Sequence, residues 1–406
     1  MKTTSYRFEY QPAAIHHGPG IVRELESELN QHNLSQALIV TDSSIASVSV
    51  VIDSVREGLG ERLVGVFDEV TPNKYLKTAY DGARRVQEDD IDALVSLGGG
   101  SSLDIAKLIS VLASHDQPLD QVVDEILERE AMIVPDNGPL LDLFAVPTTI
   151  PGADLSQVAG VKLSLEPEGT PKSEIPSGGV SDARLMPTAV FHDLELFSTT
   201  PDHILATSAM NGFDKGIEML YTRYQTPVTD ATATRGVRLL RSNLPAITEE
   251  ATDEETLSQI LQGIALAQYG LSTPNEYRAS IIHAFGHALS RRYELQQGAA
   301  HAIAAPHVLQ YLFNHVDGRR DLLAEALDVR DDMASDETVA RAVVNAVRET
   351  RNRLELPSQL RSVEEAERSH FPQLAQAVIE DSFMAAAPER LGPEQEDIEK
   401  VFEAMW

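Results

Sequence analysis

The ten residues from Gly98 to Lys107, GGGSSLDIAK, join a glycine turn to the start of a helical pattern. A largely apolar run from Ala93 to Leu97 precedes them. A buried strand that leads through glycines into a helix directs free backbone N–H groups and the positive end of the helix dipole at one point. Without Cβ atoms in the way, an anion can approach that backbone closely. The pattern predicts the pyrophosphate site of a dinucleotide; a strand-to-helix turn without a ligand is the alternative.

Two histidines, His283 and His287, lie four residues apart in the segment HAFGHAL. In a helix this spacing places both imidazoles on the same face, where they can bind a metal ion together or take part in proton transfer. An unperturbed imidazole has a pKa of about 6.5, which suits acid–base chemistry near neutrality. Core histidines whose ring nitrogens bond backbone carbonyls are the alternative.

Short β-rich runs alternate with helical patterns over the first half of the chain, as is typical of a parallel sheet with helices on its faces. The predicted strands are Ala37–Thr41, Leu63–Phe67, Ala93–Leu97, Leu143–Val146 and Ala189–Phe191. From about Pro201 onward only helical patterns follow, including Glu276–Ser290. We predict an α/β domain over residues 1–195, in which Glu166–Ser181 is a loop, and an all-α domain over residues 196–406.

Composition excludes several classes of protein. No run of about 18 apolar residues and no signal-peptide pattern occurs, so we expect a cytoplasmic protein without a membrane partner. The chain has no cysteine, which excludes thiolate metal sites and cysteine nucleophiles. Its 63 acidic and 33 basic residues give a formal net charge of −30. Nucleic acid is an unsuitable partner because its phosphates need a basic surface.

This negative charge predicts a salt-rich environment. Self-repulsion is screened when the Debye length falls to ~3 Å near 1 M salt. An acidic tail for basic partners is the alternative, but the acidic residues are spread along the chain. We therefore interpret the protein as halophilic.

Four blocks occur in a characteristic order along most of the chain. They are ALIVTD at Ala37–Asp42, GGGSSLDIAK at Gly98–Lys107, PTT at Pro147–Thr149, and the helical blocks MNGFDKGIEMLY and HAFGHAL with APHV. In these blocks the chain resembles the iron-containing alcohol dehydrogenase superfamily, which includes maleylacetate reductases and glycerol dehydrogenases. The resemblance implies an N-terminal Rossmann-like domain, a C-terminal all-α domain and the fold shared with dehydroquinate synthase. It also implies a nicotinamide cofactor in the cleft between the domains, and a homodimer.

The resemblance implies a set of cofactor contacts. Asp42 is placed at the adenosine ribose, where a carboxylate repels a 2′-phosphate and favours NAD, with NADP still possible; a turn aspartate or helix cap is the alternative. Asn73 is placed beside the adenine, with a helix start as the alternative. The remaining implied contacts, with the phosphates, the nicotinamide ribose and their surroundings, are Gly98, Gly99, Gly100, Ser101, Asp104, Thr148, Thr149 and Lys172.

The chain departs from the family at the metal site. Metal-using members have an Asp and a His four residues apart on one helix, followed by two further histidines. The ungapped match puts Asn211 and Lys215 at the first two positions, His283 at the third and Gln297 at the fourth. An amide is a poor ligand for zinc or ferrous iron, and an ammonium is none. We therefore expect no divalent metal.

A shifted alignment of this helix with the metal ligands of the family is the alternative. Asp214 and Glu218 are also four residues apart and would recruit a cation together with His283. Our hypothesis instead places the ε-ammonium of Lys215 where the metal would be, as the cation that polarises a carbonyl or stabilises an alkoxide. A solvated helix lysine is the alternative to that role.

These observations predict an NAD-preferring, metal-independent dehydrogenase or reductase that acts on a small alcohol or carbonyl compound. Lys215 is the predicted electrophile, and Asn211 orients it or the substrate. By resemblance, His287 relays the proton, with His283 beside it. A metal-dependent alcohol dehydrogenase and a nucleotide-binding protein that has lost catalysis are the alternatives. Dehydroquinate synthases and glycerol-phosphate dehydrogenases share the implied fold, but their dependence on a metal argues against both.

Overall fold

The structure, a computed structural model, divides the chain into two compact units. The described residues are 6–9, 13–114, 117–129, 131–136, 138–163, 175–249, 252–274, 276–293 and 295–406. The α/β unit comprises Gln11–Thr149 and Ala153–Thr200. The helical unit comprises Met1–Tyr10, Ile150–Gly152 and Pro201–Trp406.

A six-stranded parallel sheet forms the centre of the α/β unit. The strands of this unit are β1 (Ala14–Gly18), β2 (Ala37–Val40), β3 (Leu63–Phe67), β4 (Ala93–Gly98), β5 (Asp142–Pro147), β6 (Val158–Lys162), β7 (Ser177–Ser181) and β8 (Ala189–Asp193). The sheet has the order β1-β8-β5-β4-β2-β3, while β6 and β7 form a separate antiparallel hairpin. β2 and β4 are buried along their whole length, as expected for parallel strands covered on both faces.

Helices cover both faces of this sheet. The helices of the α/β unit are α1 (Leu25–Gln31), α2 (Ser43–Ala46), α3 (Ser49–Leu59), α4 (Leu76–Glu88), α5 (Gly100–Ala113), α6 (Leu119–Arg129) and α7 (Leu194–Phe197). Leu38 and Val40 of β2 pack with α4 and α5 in one apolar cluster, whereas Ala37 and Ile39 pack with α1 and α3 in another. This alternation follows from the two-residue period of a strand.

The strand order reverses at the carboxyl ends of β2 and β4. From β2 the chain continues to β3 on one side, and from β4 it continues to β5 on the other. Open α/β sheets bind ligands in the crevice at such a reversal. Asp42 follows β2 and Gly99 follows β4, so both predicted cofactor contacts lie at this edge of the sheet.

The C-terminal region is mostly helical. Its helices are α8 (Asp202–Tyr221), α9 (Pro227–Asn243), α10 (Ala246–Glu249), α11 (Glu254–Gln268), α12 (Ile281–Arg292), α13 (Gln297–His315), α14 (Arg320–Ala326), α15 (Asp336–Arg353), α16 (Phe371–Glu380) and α17 (Gln395–Met405). α8 packs against α9, α11 and α13, and it is buried from Ala209 to Tyr221. Polar side chains on that stretch therefore lie in the interior of the helical unit.

Two local predictions were wrong. The predicted helix Glu276–Ser290 begins only at Ile281, because β10 (Glu276–Tyr277) pairs with β9 (Ser272–Thr273) across a turn that contains Pro274. The C-terminal region is mostly helical, as predicted, and contains this short ribbon. The end of the predicted loop Glu166–Ser181 forms β7, since its backbone pairs with β6.

None of the helices in the described ranges is long and apolar enough to cross a membrane.

Candidate active site

The glycine turn presents bare backbone at the start of α5. Gly98 has a φ of +128°, a conformation that L side chains rarely adopt. A Cβ atom on Gly99 would lie 3.1 Å from Oγ1 of Thr149, and one on Gly100 would meet only Cβ of Ala153, at 3.7 Å. The N–H groups in the first turn of a helix have no partner within that helix. The turn is therefore suited to bind an anion.

The threonines after β5 lie beside this turn. The N–H of Thr148 donates to the carbonyl oxygen of Gly98 at 2.9 Å, so the ends of β4 and β5 are joined there. Asp104, one turn into α5, accepts hydrogen bonds from Nζ of Lys74 at 2.8 Å and from the N–H of Gly160 at 3.3 Å. These contacts hold the loop before α4 and the hairpin strand β6 next to α5.

Asp42 caps the helix that follows β2. Its Oδ1 accepts the N–H groups of Ser44 at 2.9 Å and Ile45 at 3.1 Å, so the capping interpretation is confirmed. Both capping bonds use Oδ1 of Asp42. Asn73 lies in the connection between β3 and α4. Lys172 lies outside the described residues.

Lys215 is buried in the helical unit. Its residue exposure is 5%, and Nζ donates to the carbonyl oxygen of Gly152 at 2.6 Å. It is therefore not a solvated helix lysine. Burial, followed by the charge of Lys215, lowers the pKa of His283 well below its usual value.

His283 is held on three sides. Its backbone N–H donates to Oε1 of Glu218 at 3.1 Å, and its Nδ1 contacts Oε2 of the same carboxyl group. Its Nε2 lies 3.1 Å from Oδ1 of Asn211. The structure thus brings together three of the four predicted catalytic residues, Asn211, Lys215 and His283, from α8 and α12.

The fourth predicted residue, His287, has a partner that the sequence did not reveal. Nδ1 of His287 lies 2.9 Å from Oδ2 of Asp381, whose side chain is 2% exposed, while that of His287 is 24% exposed. The ring of Phe383 lies against both histidines, with centroid separations of 5.6 Å from His283 and 4.7 Å from His287. Asp381 and Phe383 belong to a segment about a hundred residues further along the chain, where no motif marks them.

A second buried pair lies beside His283. Oδ2 of Asp214 is 3.5 Å from Nδ1 of His301, and the rings of His283 and His301 are 4.3 Å apart, centroid to centroid. Burial raises the pKa of Asp214 well above its usual value and lowers that of His301 well below it. Burial therefore favours the uncharged form of both groups. A Cβ on Gly286 would lie 2.3 Å from the His301 ring, so only glycine lets this ring pack so closely on α12.

Asp214 and Glu218, the metal ligands of the alternative alignment, contact other side chains. Glu218 contacts His283, and Asp214 faces His301. Within the described ranges, no group of three or more His, Asp or Glu side chains is arranged to hold a metal ion. Burial raises the pKa of Glu218 to about 7, against the lowering effect of its hydrogen bonds and of His301.

Comparisons with known proteins place the whole architecture in one family. The model described as iron-containing alcohol dehydrogenase matches residues 12–193, and that of the C-terminal region of the Fe-containing alcohol dehydrogenase family matches residues 205–406. The chain belongs to the iron-containing alcohol dehydrogenase family. As a member of this family it is an oxidoreductase that acts on CH–OH groups.

Relatives within the iron-containing alcohol dehydrogenase family match along nearly the full chain. Lactaldehyde reductase of Escherichia coli (strain K12) is 25% identical over 393 residues, which cover 96% of this chain and 97% of that protein. An alcohol dehydrogenase from Oenococcus oeni has the same fold, with a TM-score of 0.85, 22% identity and coverage of 99% and 100%. Sulfoacetaldehyde reductase from Bifidobacterium kashiwanohense, solved in complex with NAD+, has a TM-score of 0.82, 17% identity and 99% coverage of both chains.

Proposed function

We propose that this chain interconverts a small alcohol and its carbonyl compound with NAD, and that the ammonium of Lys215 takes the place of a divalent metal. The observation that carries the proposal is the burial of Lys215 on α8, one turn from Asn211, whose side chain contacts His283. The family supports the reaction class, and the NAD+ complex of a structural neighbour supports the cofactor. Residues 1–195 would hold the nucleotide, and residues 196–406 would supply the catalytic side chains.

The residues of the glycine turn fit a dinucleotide. Gly99 and Gly100 leave the first turn of α5 open to a pyrophosphate, and Ser101 adds a hydroxyl there. Thr148 and Thr149 lie beside this turn, and the Asp42 carboxylate disfavours a 2′-phosphate. When bound, the nicotinamide supplies or accepts the hydride.

The proposed catalytic side chains have separate roles in substrate polarisation and proton transfer. An ammonium that faces the substrate oxygen polarises a carbonyl, or stabilises the alkoxide that develops as an alcohol is oxidised. Asn211 and His283 contribute polar side chains to the same site and contact each other, and Glu218 orients the His283 ring. His287 is the partly exposed base that exchanges the hydroxyl proton.

The donor set does not fit the divalent metal of the family. The position of one family ligand is occupied by an ammonium that already donates to the Gly152 carbonyl, and another by the amide of Asn211. His283 has both ring nitrogens engaged by neighbouring side chains. No step of the proposed reaction passes through a metal ion.

Metal analysis combined with an activity screen tests the proposal. Protein purified without added metal is analysed for zinc and iron, then assayed on aldehydes and keto acids with NADH and NADPH in concentrated KCl, with a chelator present. We expect substoichiometric metal and turnover that the chelator does not reduce. Stoichiometric metal whose removal abolishes turnover would support the metal-dependent alternative. Cofactor binding without turnover on the panel would support a binding protein that has lost catalysis.

We also propose that the protein works as a cytoplasmic homodimer at high salt. The excess of 63 acidic over 33 basic residues supports the salt requirement, because self-repulsion weakens as salt shortens the Debye length. The melting temperature should therefore rise steeply between dilute buffer and concentrated KCl. Light scattering in the same KCl buffer measures the mass of the assembly.

A further inference from the structure

Asp381 is a buried carboxylate with two specific hydrogen-bond donors. Oδ1 accepts the backbone N–H of Phe383 at 3.0 Å, and Oδ2 lies 2.9 Å from Nδ1 of His287. The residue caps the 3₁₀ turn Ser382–Ala386. Burial favours the neutral acid, but the bonds from His287 and Phe383 outweigh it and hold the pKa of Asp381 below its usual value. The group is therefore an anion near neutral pH.

An anion at this place decides which nitrogen of His287 carries the proton. A carboxylate only accepts hydrogen bonds, so the 2.9 Å contact requires a proton on Nδ1. Nη2 of Arg291 also approaches Nδ1, but at 3.4 Å, and its Nη1 lies 3.6 Å from the Asp381 carboxylate. The shorter distance and the charge of the carboxylate favour the pair with Asp381. Nε2 is then the nitrogen with a free lone pair.

The other groups that face His287 do not compete for this role. Phe383 offers an aromatic ring. His283 and His301 are buried, and their pKa values lie well below the usual range, so both are neutral. Arg291, on the same helix as His287, is charged, but its side chain is 57% exposed, which weakens its effect through solvent screening.

We propose that Asp381 is the positioning residue for proton transfer: by accepting the Nδ1 proton of His287, it leaves Nε2 as the nitrogen that exchanges a proton with the substrate oxygen. The proposal rests on the role given to His287 in the proposed function. In carbonyl reduction the Nε2–H bond of the imidazolium breaks and an O–H bond forms on the substrate. His287 returns to the neutral form, with Nδ1–H still bonded to Asp381. In alcohol oxidation the same proton moves in the opposite direction.

The tautomer of His287 gives a test that needs no turnover. In protein labelled with ¹⁵N-histidine, two-bond ¹H–¹⁵N correlations distinguish a protonated Nδ1 from a protonated Nε2, and a His287→Gln sample assigns the signals. We expect the neutral His287 ring to carry its proton on Nδ1 in the wild-type protein. A proton on Nε2 would overturn the proposal whether or not the protein turns over any substrate.

Variants of Asp381 then test how the tautomer of His287 affects turnover. In Asp381→Asn a larger fraction of the neutral His287 rings should carry the proton on Nε2. The kcat should fall by about 10²-fold or more, while NADH affinity should stay within about a factor of two. Asp381→Glu keeps an acceptor and should recover part of kcat.

A second carboxylate–histidine pair provides the matched control. Glu28 lies 3.1 Å from Nε2 of His16 in the α/β unit, and Glu28→Gln should leave the His287 signals and kcat unchanged. If Asp381→Asn keeps the wild-type tautomer and kcat, Asp381 has only a structural role. If the wild-type protein has the Nδ1–H tautomer but reduces no carbonyl compound, the proposed function fails while the positioning of the ring stands.

Discussion

Glu218 holds His283 at two points, through the backbone N–H and through Nδ1 of its ring. Glu218 comes from α8, whereas His283 lies in the first turn of α12, so the carboxyl group also faces the positive end of a helix. The contact turns Nε2 of His283 towards Asn211. The ionisation of Glu218 therefore affects both the stability of this helix pair and the orientation of the His283 ring.

The stability of the protein should depend on the ionisation of Glu218. Burial raises the pKa of its carboxyl group from 4.5 to about 7, so the folded state binds the proton more tightly than the unfolded state. This contribution to the free energy of unfolding is complete below about pH 4.5 and is lost as the pH rises through about 7. Urea unfolding between about pH 5 and about pH 8 should show a flatter decline for Glu218→Gln than for the wild type. Glu255→Gln, on the exposed side of α11, should keep the wild-type slope.

Loss of the Lys215 ammonium should reduce turnover while leaving the cofactor bound. In Lys215→Ala we expect kcat to fall by about 10²- to 10³-fold, because a preorganised cation no longer faces the substrate oxygen. NADH titrations should give the wild-type affinity, and added methylammonium should restore part of kcat. Lys77→Ala, which removes a surface lysine paired with Asp81, is the control. Full activity in Lys215→Ala would rule out the proposed electrophile.

A methyl group on Gly100 should separate cofactor binding from folding. The nearest atom to a Cβ there is 3.7 Å away, an ordinary contact distance, so Gly100→Ala should fold with an unchanged melting temperature. The methyl group would occupy the space in front of the first turn of α5, and NADH affinity should fall about tenfold or more. Calorimetric titration with NADH measures this loss. Unchanged affinity would place the pyrophosphate elsewhere.

Cofactor preference should respond to the charge of Asp42. Asn retains a side-chain oxygen that can cap α2, so Asp42→Asn should keep the bonds to Ser44 and Ile45 while removing the repulsion of a 2′-phosphate. We expect the ratio of kcat/KM for NADPH to that for NADH to rise about tenfold. Steady-state assays with both cofactors test it. An unchanged ratio would leave Asp42 with only its role as a helix cap.

Elements with a strong local pattern were predictable from the sequence. Leu63–Phe67 is a strand with the predicted bounds, and the central strands differ by one or two residues, because continuous apolar runs are typical of buried parallel strands. The edge strand β1 was missed, since AIHHG contains two histidines and packs against only one neighbour, β8. The strand β7, SGGVS, was missed because glycine and serine have low β propensity and only its pairing with β6 makes it a strand.

The proximity of site residues was predictable only where they lie on the same helix. Asn211 and Lys215 lie one turn apart on α8, and His283 and His287 lie one turn apart on α12. The pairs between elements, Glu218 with His283 and Asp381 with His287, depend on tertiary packing that no spacing in the sequence expresses. The buried pair of Asp214 and His301 was missed for the same reason, because burial, the largest cause of their pKa shifts, follows from tertiary packing.

The distance along the chain between His287 and Asp381 has a consequence for biosynthesis. A nascent polypeptide folds its N-terminal parts first, so the α/β unit can form while the ribosome is still adding the last helices. His287 acquires its carboxylate partner only after residue 381 has left the exit tunnel. Fragments that end before this point would contain His287 but lack the carboxylate that we propose orients its ring, so premature termination would yield chains with impaired proton transfer.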